Sequence, residues 1–174
     1  MNKTTALLVA GTIAGMSAPA MAQSTDGQFT GFRAGVTAGY DAVQAGSSVD
    51  IDNEPNNNDQ SIDGAVYGVQ AGYDFDLGDH VFLGGELSGE KILAEDTYVE
   101  FALTGRLGTS VSGKGSVFLA GGYTFTHHGD GPHLGLGYEH HLGHGGTYVA
   151  TEYRHVFVDH HEANAVTIGI GTFF

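Results

Sequence analysis

The carboxy-terminal stretch Ala165-Val-Thr-Ile-Gly-Ile-Gly-Thr-Phe-Phe174 decides how the chain is read. In an extended strand Val166, Ile168, Ile170, Thr172 and Phe174 share one side, while Thr167, Gly169, Gly171 and Phe173 share the other. A large apolar face set against small residues, ending on an aromatic terminus, suits a strand held between lipid and a narrow lumen. An edge strand of a soluble sheet would show a similar alternation. The other segments separate the two.

Seven earlier segments repeat the pattern. Residues 29–43 place Phe32, Ala34, Val36, Ala38 and Tyr40 opposite Arg33, Gly35, Thr37, Gly39 and Asp41. Residues 65–75 set Tyr67, Val69, Ala71, Tyr73 and Phe75 against Gly68, Gln70, Gly72 and Asp74. Residues 80–90 oppose Val81, Leu83, Gly85 and Leu87 to Phe82, Gly84, Glu86 and Ser88. In 98–109, Val99, Phe101, Leu103 and Leu107 face away from Glu100, Ala102, Thr104, Arg106 and Gly108. Segments 117–126, 132–141 and 148–157 continue it, with Leu119, Tyr123, Leu134, Leu136, Tyr138, Val149, Tyr153 and Phe157 on the apolar face. Gly122, Glu139, Glu152 and Arg154 lie opposite. Residues 44–62 read as the longest polar loop, and 77–79, 112–115 and 143–146 as tight turns.

Eight segments of about ten residues each match what a tilted strand needs to cross a bilayer. The expected fold is all-β: an eight-stranded antiparallel up-and-down transmembrane β-barrel, with both termini on the periplasmic side of the outer membrane. The placement of charge decides against a soluble barrel, which would keep charges outside and large apolar groups inside. Arg33, Glu86, Glu100, Arg106, Glu139, Glu152 and Arg154 all share the face opposite the aromatics. Exposing an Arg to mid-bilayer lipid costs roughly 2–4 kcal/mol, so this face must be the lumen. Phe82, Phe118 and Phe173 are expected inward, against the trend. The lumen of eight strands has room for small groups and a few long ones, and the charges are expected to fill it as a paired network.

Residues 1–22 read as a secretory signal peptide: Asn2 and Lys3, an uncharged stretch from Ala6 to Met16, and the small-residue site Ala20-x-Ala22 before Gln23. Residues 23–174 are then one barrel domain. No cysteine occurs, which excludes a lipoprotein anchor, disulfides and thiolate metal sites. Six Lys plus Arg against twenty Asp plus Glu excludes nucleic acid as a partner.

Several short motifs occur in order along the chain. They are Gly72-Tyr-Asp-Phe-Asp-Leu-Gly78, Gly84-Gly-Glu-Leu87, Gly105-Arg-Leu-Gly108, Gly121-Gly-Tyr123, Gly135-Leu-Gly-Tyr-Glu139, Thr151-Glu-Tyr-Arg154 and the Gly169 to Phe174 ending. With them the chain resembles the small outer-membrane barrels of the opacity/porin-like family, relatives of the OmpA barrel. The resemblance implies a surface structural protein, an adhesin or a porin, and supplies no catalytic residues. It also implies delivery by periplasmic chaperones, insertion by the barrel-assembly machinery, and Phe174 as the terminal aromatic presented to that machinery. No peptidoglycan-binding domain is expected after the barrel.

Three functions follow as expectations. The first is a monomer in outer-membrane lipid with a structural or surface-interaction role. The second is a narrow channel for ions or small solutes. The third is metal binding at the surface, since nine of ten histidines lie from His127 onward. His127, His128, Asp130 and His133 are expected in one outer loop, with Asp159, His160, His161 and Glu162 in the next. Imidazole with carboxylate would suit Zn²⁺, Ni²⁺ or Cu²⁺, though no cofactor is otherwise expected. Asp50-Ile-Asp-Asn-Glu-Pro55 looks calcium-like, but Pro55 stands where an EF-hand loop needs Gly. Ser47, Ser48, Ser61 and Ser88 lack a His–acid partner spacing, so no enzyme is expected.

Overall fold

In a computed structural model the described residues are 30–45, 64–93, 98–126, 130–143, 146–158 and 161–174, and the side chains of 43–45, 158, 161 and 162 lie outside the description. The expected signal peptide and the calcium-like stretch fall outside the described residues. Eight strands form a closed antiparallel barrel in sequence order. They are β1 (Gly31–Ala45), β2 (Gly64–Gly78), β3 (Val81–Ile92), β4 (Val99–Ser112), β5 (Gly115–Phe125), β6 (Gly131–His141), β7 (Thr147–Val158) and β8 (His161–Phe173). The seam joins β1 to β8, with Arg33 opposite Phe173 at one end and Ala45 opposite His161 at the other. Closure leaves no unpaired strand edge.

The strands are mostly longer than the hydrophobic pattern predicts. β8 begins at His161 rather than Ala165, because Val158 pairs with His161 and Phe157 with Glu162. His161 and Glu162 therefore sit on strand backbone and not in the loop expected for them. Register irregularities occur between Asp76 and Gly78 and between Ser110 and Ser112. Both lie beside turns at the end of the barrel that holds the termini, so they leave the alternation of the central residues unchanged.

Burial is inverted relative to a soluble domain. Leu119 is 62% exposed and Ile168 60%, whereas Arg106 and Phe82 are each 1% exposed. Among the outward strand positions whose side chains are described, Lys91 is the one Lys, Arg, Asp or Glu. A continuous apolar belt of this extent far exceeds what a soluble monomer exposes, and each large side chain moved into lipid gains roughly 1.5–3 kcal/mol. Aromatics gather toward both rims. Phe32, Tyr73 and Phe75 form an edge-contacting run near the termini, and Tyr123 and Phe125 pair near the opposite end.

The lumen is packed by a repeated pairing of glycine with an inward aromatic on the next strand. Phe82 faces Gly108, Phe118 faces both Gly108 and Gly137, and Tyr148 faces Gly171. A Cβ at Gly137 would fall within the Phe118 ring, so this close approach requires glycine. Not every strand glycine serves the lumen. Gly85, Gly105 and Gly121 face outward in one cross-strand row, and a Cβ at Gly85 meets nothing within 4 Å. Gly137→Ala is therefore expected to overpack the lumen by roughly 1–3 kcal/mol. Gly85→Ala should be neutral, as read from urea unfolding of the two variants refolded into vesicles. Equal midpoints would contradict this packing.

Candidate functional site

Five strands bring a charged group into the half of the lumen nearer the termini: Arg33 from β1, Asp74 from β2, Glu86 from β3, Arg106 from β4 and Glu139 from β6. Each lies on the inward phase of its strand, so alternation alone aims them at one another. Arg33 Nη2 is 2.9 Å from Glu86 Oε2, and its Nη1 is 3.4 Å from Asp74 Oδ2 and 3.2 Å from Glu139 Oε2. Arg106 Nη2 donates to the same Glu139 oxygen at 3.2 Å. Its Nη1 lies 3.7 Å from both Asp74 and Glu86. Two guanidinium groups thus share three carboxylates, and no carboxylate belongs to one arginine alone.

Aromatic rings close the flanks. The Arg106 guanidinium carbon lies 4.0 Å from the Phe118 ring centre and 5.6 Å from that of Phe82. Arg33 lies 4.9 Å from the Tyr148 ring and 5.9 Å from that of Phe173. Only a planar, weakly hydrated cation can stack on rings and hold several carboxylates together, so Lys would not substitute. On the side nearer the termini His141 Nε2 approaches Glu139 Oε1 at 3.2 Å, with its ring stacked on Phe173. Gln70 donates to the Tyr148 hydroxyl at 3.3 Å. A cavity beside Arg33, bounded by Thr37, Gln70, Glu152 and Thr167, measures ≈ 10 Å³, about one water molecule. Ion pairs and rings fill this half of the lumen.

The other half is built differently. Arg154 donates to Glu90, and Glu90 lies directly opposite Glu100 across β3 and β4. Neither Glu100 nor Glu152 comes within 4 Å of a described cation. The single network expected from the sequence is therefore two groups. Arg33, Arg106, Glu86 and Glu139 meet in the plug, Arg154 is separate, and Glu100 and Glu152 face the lumen without a direct ion pair among the described residues. Asp74, Glu90, His141 and Tyr148 complete the two groups and were not among the expected residues. All four continue the inward phase already assigned to their strands.

The predicted metal set does not assemble from described residues. His133 lies on β6 inside the lumen, 1% exposed, and not in a rim loop. Its Nε2 contacts the Thr104 hydroxyl at 3.1 Å and its Nδ1 the Thr124 hydroxyl at 2.9 Å, which commits both ring nitrogens. Asp130 accepts the Thr126 backbone N–H at 3.0 Å. His127, His128, Asp159 and His160, and the side chains of His161 and Glu162, lie outside the described residues. Among the described residues no group of three His, Asp or Glu could hold a metal ion. Phe174 follows β8, and its N–H donates to the Phe32 carbonyl at 2.8 Å across the seam.

A closed eight-strand barrel with a charged lumen and an apolar exterior defines the chain as a small transmembrane β-barrel. No protein-family model and no curated protein sequence matches it. Solved structures do match. The attachment invasion locus protein Ail of Yersinia pestis is 12% identical with a TM-score of 0.54, over 84% of this chain and 100% of that one. Neisserial surface protein A is 12% identical with a TM-score of 0.57, over 83% and 98%. A de novo designed transmembrane β-barrel is 14% identical with a TM-score of 0.52, over 84% and 97%. At these identities the likeness is one of fold.

Removing one member of the plug leaves a buried charge uncompensated, which costs about 3–5 kcal/mol. Arg106→Met is expected to lower stability to urea by that amount, and Glu139→Gln in the same chain to restore part of it. A loss below about 1 kcal/mol, the size of an exposed pair, would contradict the shared arrangement.

Proposed function

We propose that this chain is an integral outer-membrane barrel acting at the cell surface, in a structural or interaction role, with its lumen closed rather than conducting. The observation that carries this reading is the plug, where Arg106 is 1% exposed between Phe118 and Phe82 while bound to Glu139. A diffusion pore needs water where this lumen has ion pairs and rings. The outward apolar belt supports lipid as the surrounding medium. The names of two proteins of like fold, one for attachment and one for a surface protein, point the same way. The closed ladder supports a monomer, since no strand edge remains to pair with a second copy.

In this reading the short turns and both termini face the periplasm and the opposite end faces outward. The protein performs no catalysis. Periplasmic chaperones and the barrel-assembly machinery deliver it, and Phe174 serves as the terminal recognition aromatic. Refolded protein in a planar bilayer should give no stable conductance steps, and stable large steps would overturn the closed-lumen role. Deleting Phe174 removes no member of the plug, so it should reduce the fraction inserted in cells, read by heat-modifiable gel mobility. Resistance to urea once refolded should barely change. Full insertion of the truncated chain would remove the assembly role.

A further inference from the structure

The lipid-facing surface carries a polar group that neither the plug nor barrel closure uses. On the outer face of the β7–β8 hairpin, Asn164 Oδ1 accepts hydrogen bonds from the Tyr153 hydroxyl at 2.6 Å and from His155 Nδ1 at 2.8 Å. With the amide oxygen on this side, both neighbours act as donors to it. Because a carboxamide oxygen only accepts, His155 carries a proton on Nδ1, and in that tautomer of the imidazole Nε2 is an acceptor. The Asn164 NH₂ keeps two hydrogens that no described group accepts. Phe157 meets the His155 ring edge-on at 4.4 Å between centroids, and Phe157 and Tyr153 are each about half exposed.

Position gives this patch its meaning. Asn164 pairs with His155, three residues before β7 ends at Val158, so the patch lies roughly 10 Å along the strand from the hairpin tip. Amide and imidazole groups in hydrocarbon would each go unpaired at a cost of some kcal/mol, which places them at headgroup level. Two exposed rings around a donor pair and one acceptor form a surface for a ligand with a flat apolar face and hydroxyls that both give and take hydrogen bonds.

We propose that this patch holds a saccharide ring of a glycolipid headgroup in the leaflet beside the β7–β8 hairpin, an assignment that rests on the membrane-embedded reading. The C–H face of a pyranose stacks on Tyr153 or Phe157. Its hydroxyls accept from the Asn164 amide and donate to His155 Nε2. A fully ionised phosphate fits worse because it only accepts, which leaves Nε2 unmatched. In addition, β7 and β8 carry no outward Lys or Arg, and the hairpin sequence Asp159-His-His-Glu162 holds two carboxylates and no Lys or Arg.

The test uses the full chain refolded into nanodiscs of phosphatidylcholine with a minor fraction of either glucosyl diacylglycerol or phosphatidic acid. Lipid retained per protein after transfer to detergent is measured by mass spectrometry. The wild-type chain should retain the glucolipid several-fold above its share of the bilayer, and phosphatidic acid at its share. Asn164→Asp keeps an acceptor for Tyr153 and His155 but removes the donor pair, and should bring glucolipid retention down to the bulk share. Asn164→Leu should do the same, while Tyr138→Leu at the opposite rim should not. Heat-modifiable mobility, scored first, shows whether each variant has inserted, so failure of the embedded reading is distinguishable from failure of the site. No enrichment in the wild type, unchanged enrichment in the inserted Asn164→Asp variant, or preference for phosphatidic acid would each overturn the assignment.

Discussion

Two guanidinium groups sharing three carboxylates are the interaction on which the interior of this barrel depends. Arg33 and Arg106 come from strands three apart, and Asp74, Glu86 and Glu139 from three others, so the plug ties five of eight strands across the lumen. Backbone ladders hold each strand only to its neighbours. The plug supplies contacts that cross the lumen, and it pins the register. A one-residue slip of any contributing strand would turn its charge toward lipid and present an apolar side chain to the plug. Desolvating these charges is expensive, and the arrangement is tolerable because every one of them has more than one partner.

The glycines follow from the same constraint. Each arginine needs a flanking ring, and in a narrow barrel a ring fits only where the adjacent strand has no side chain. Phe82 with Gly108, Phe118 with Gly137 and Tyr148 with Gly171 are one steric solution used three times. Aromatic side chains pointing against the lipid-facing trend are thus a structural necessity of the lumen. They also shield the guanidinium groups from water, which strengthens the ion pairs beside them.

Most of the architecture was legible in the sequence because period-two alternation carries it. Strand number, order and facing all follow from the apolar phase, including the inward Phe82, Phe118 and Phe173. What alternation cannot convey is where a ladder stops, since backbone pairing continues through polar residues. β8 extends back through Ala163 and Glu162 to His161 for that reason, and a loop was expected there instead. Asp74, Glu90 and His141 were readable in principle, being two or four positions along an inward phase already set by Gly72, Glu86 and Glu139. The division of the charges into two groups was not readable. It depends on the stagger between strands, which sets the height of each residue in the lumen and leaves no trace in one strand's pattern. His133 shows the same limit: its sequence neighbours suggest a rim loop, while its pairing with Gly122 and Val156 places it inside.

The uneven distribution of charge between the two halves of the lumen implies two ways of meeting the cost of burial. Near the termini two arginines face Asp74, Glu86 and Glu139, and all five side chains are buried. Toward the other end Arg154 is the one arginine among the described residues, beside Asp41, Glu90, Glu100 and Glu152, and those four carboxylates are only half-buried. Four acids beside one guanidinium would not all stay ionised in a dry interior, because a carboxylate short of counter-charge carries a large desolvation cost. Like charges placed directly across a ladder, as Glu90 and Glu100 are, add repulsion that solvent screening or proton uptake relieves. Water in the acidic half, or protonation of part of it, meets that cost, whereas the plug meets it with ion pairs. The two halves of the lumen thus carry buried charge in different ways, by shared ion pairs near the termini and by solvent or proton uptake toward the other end.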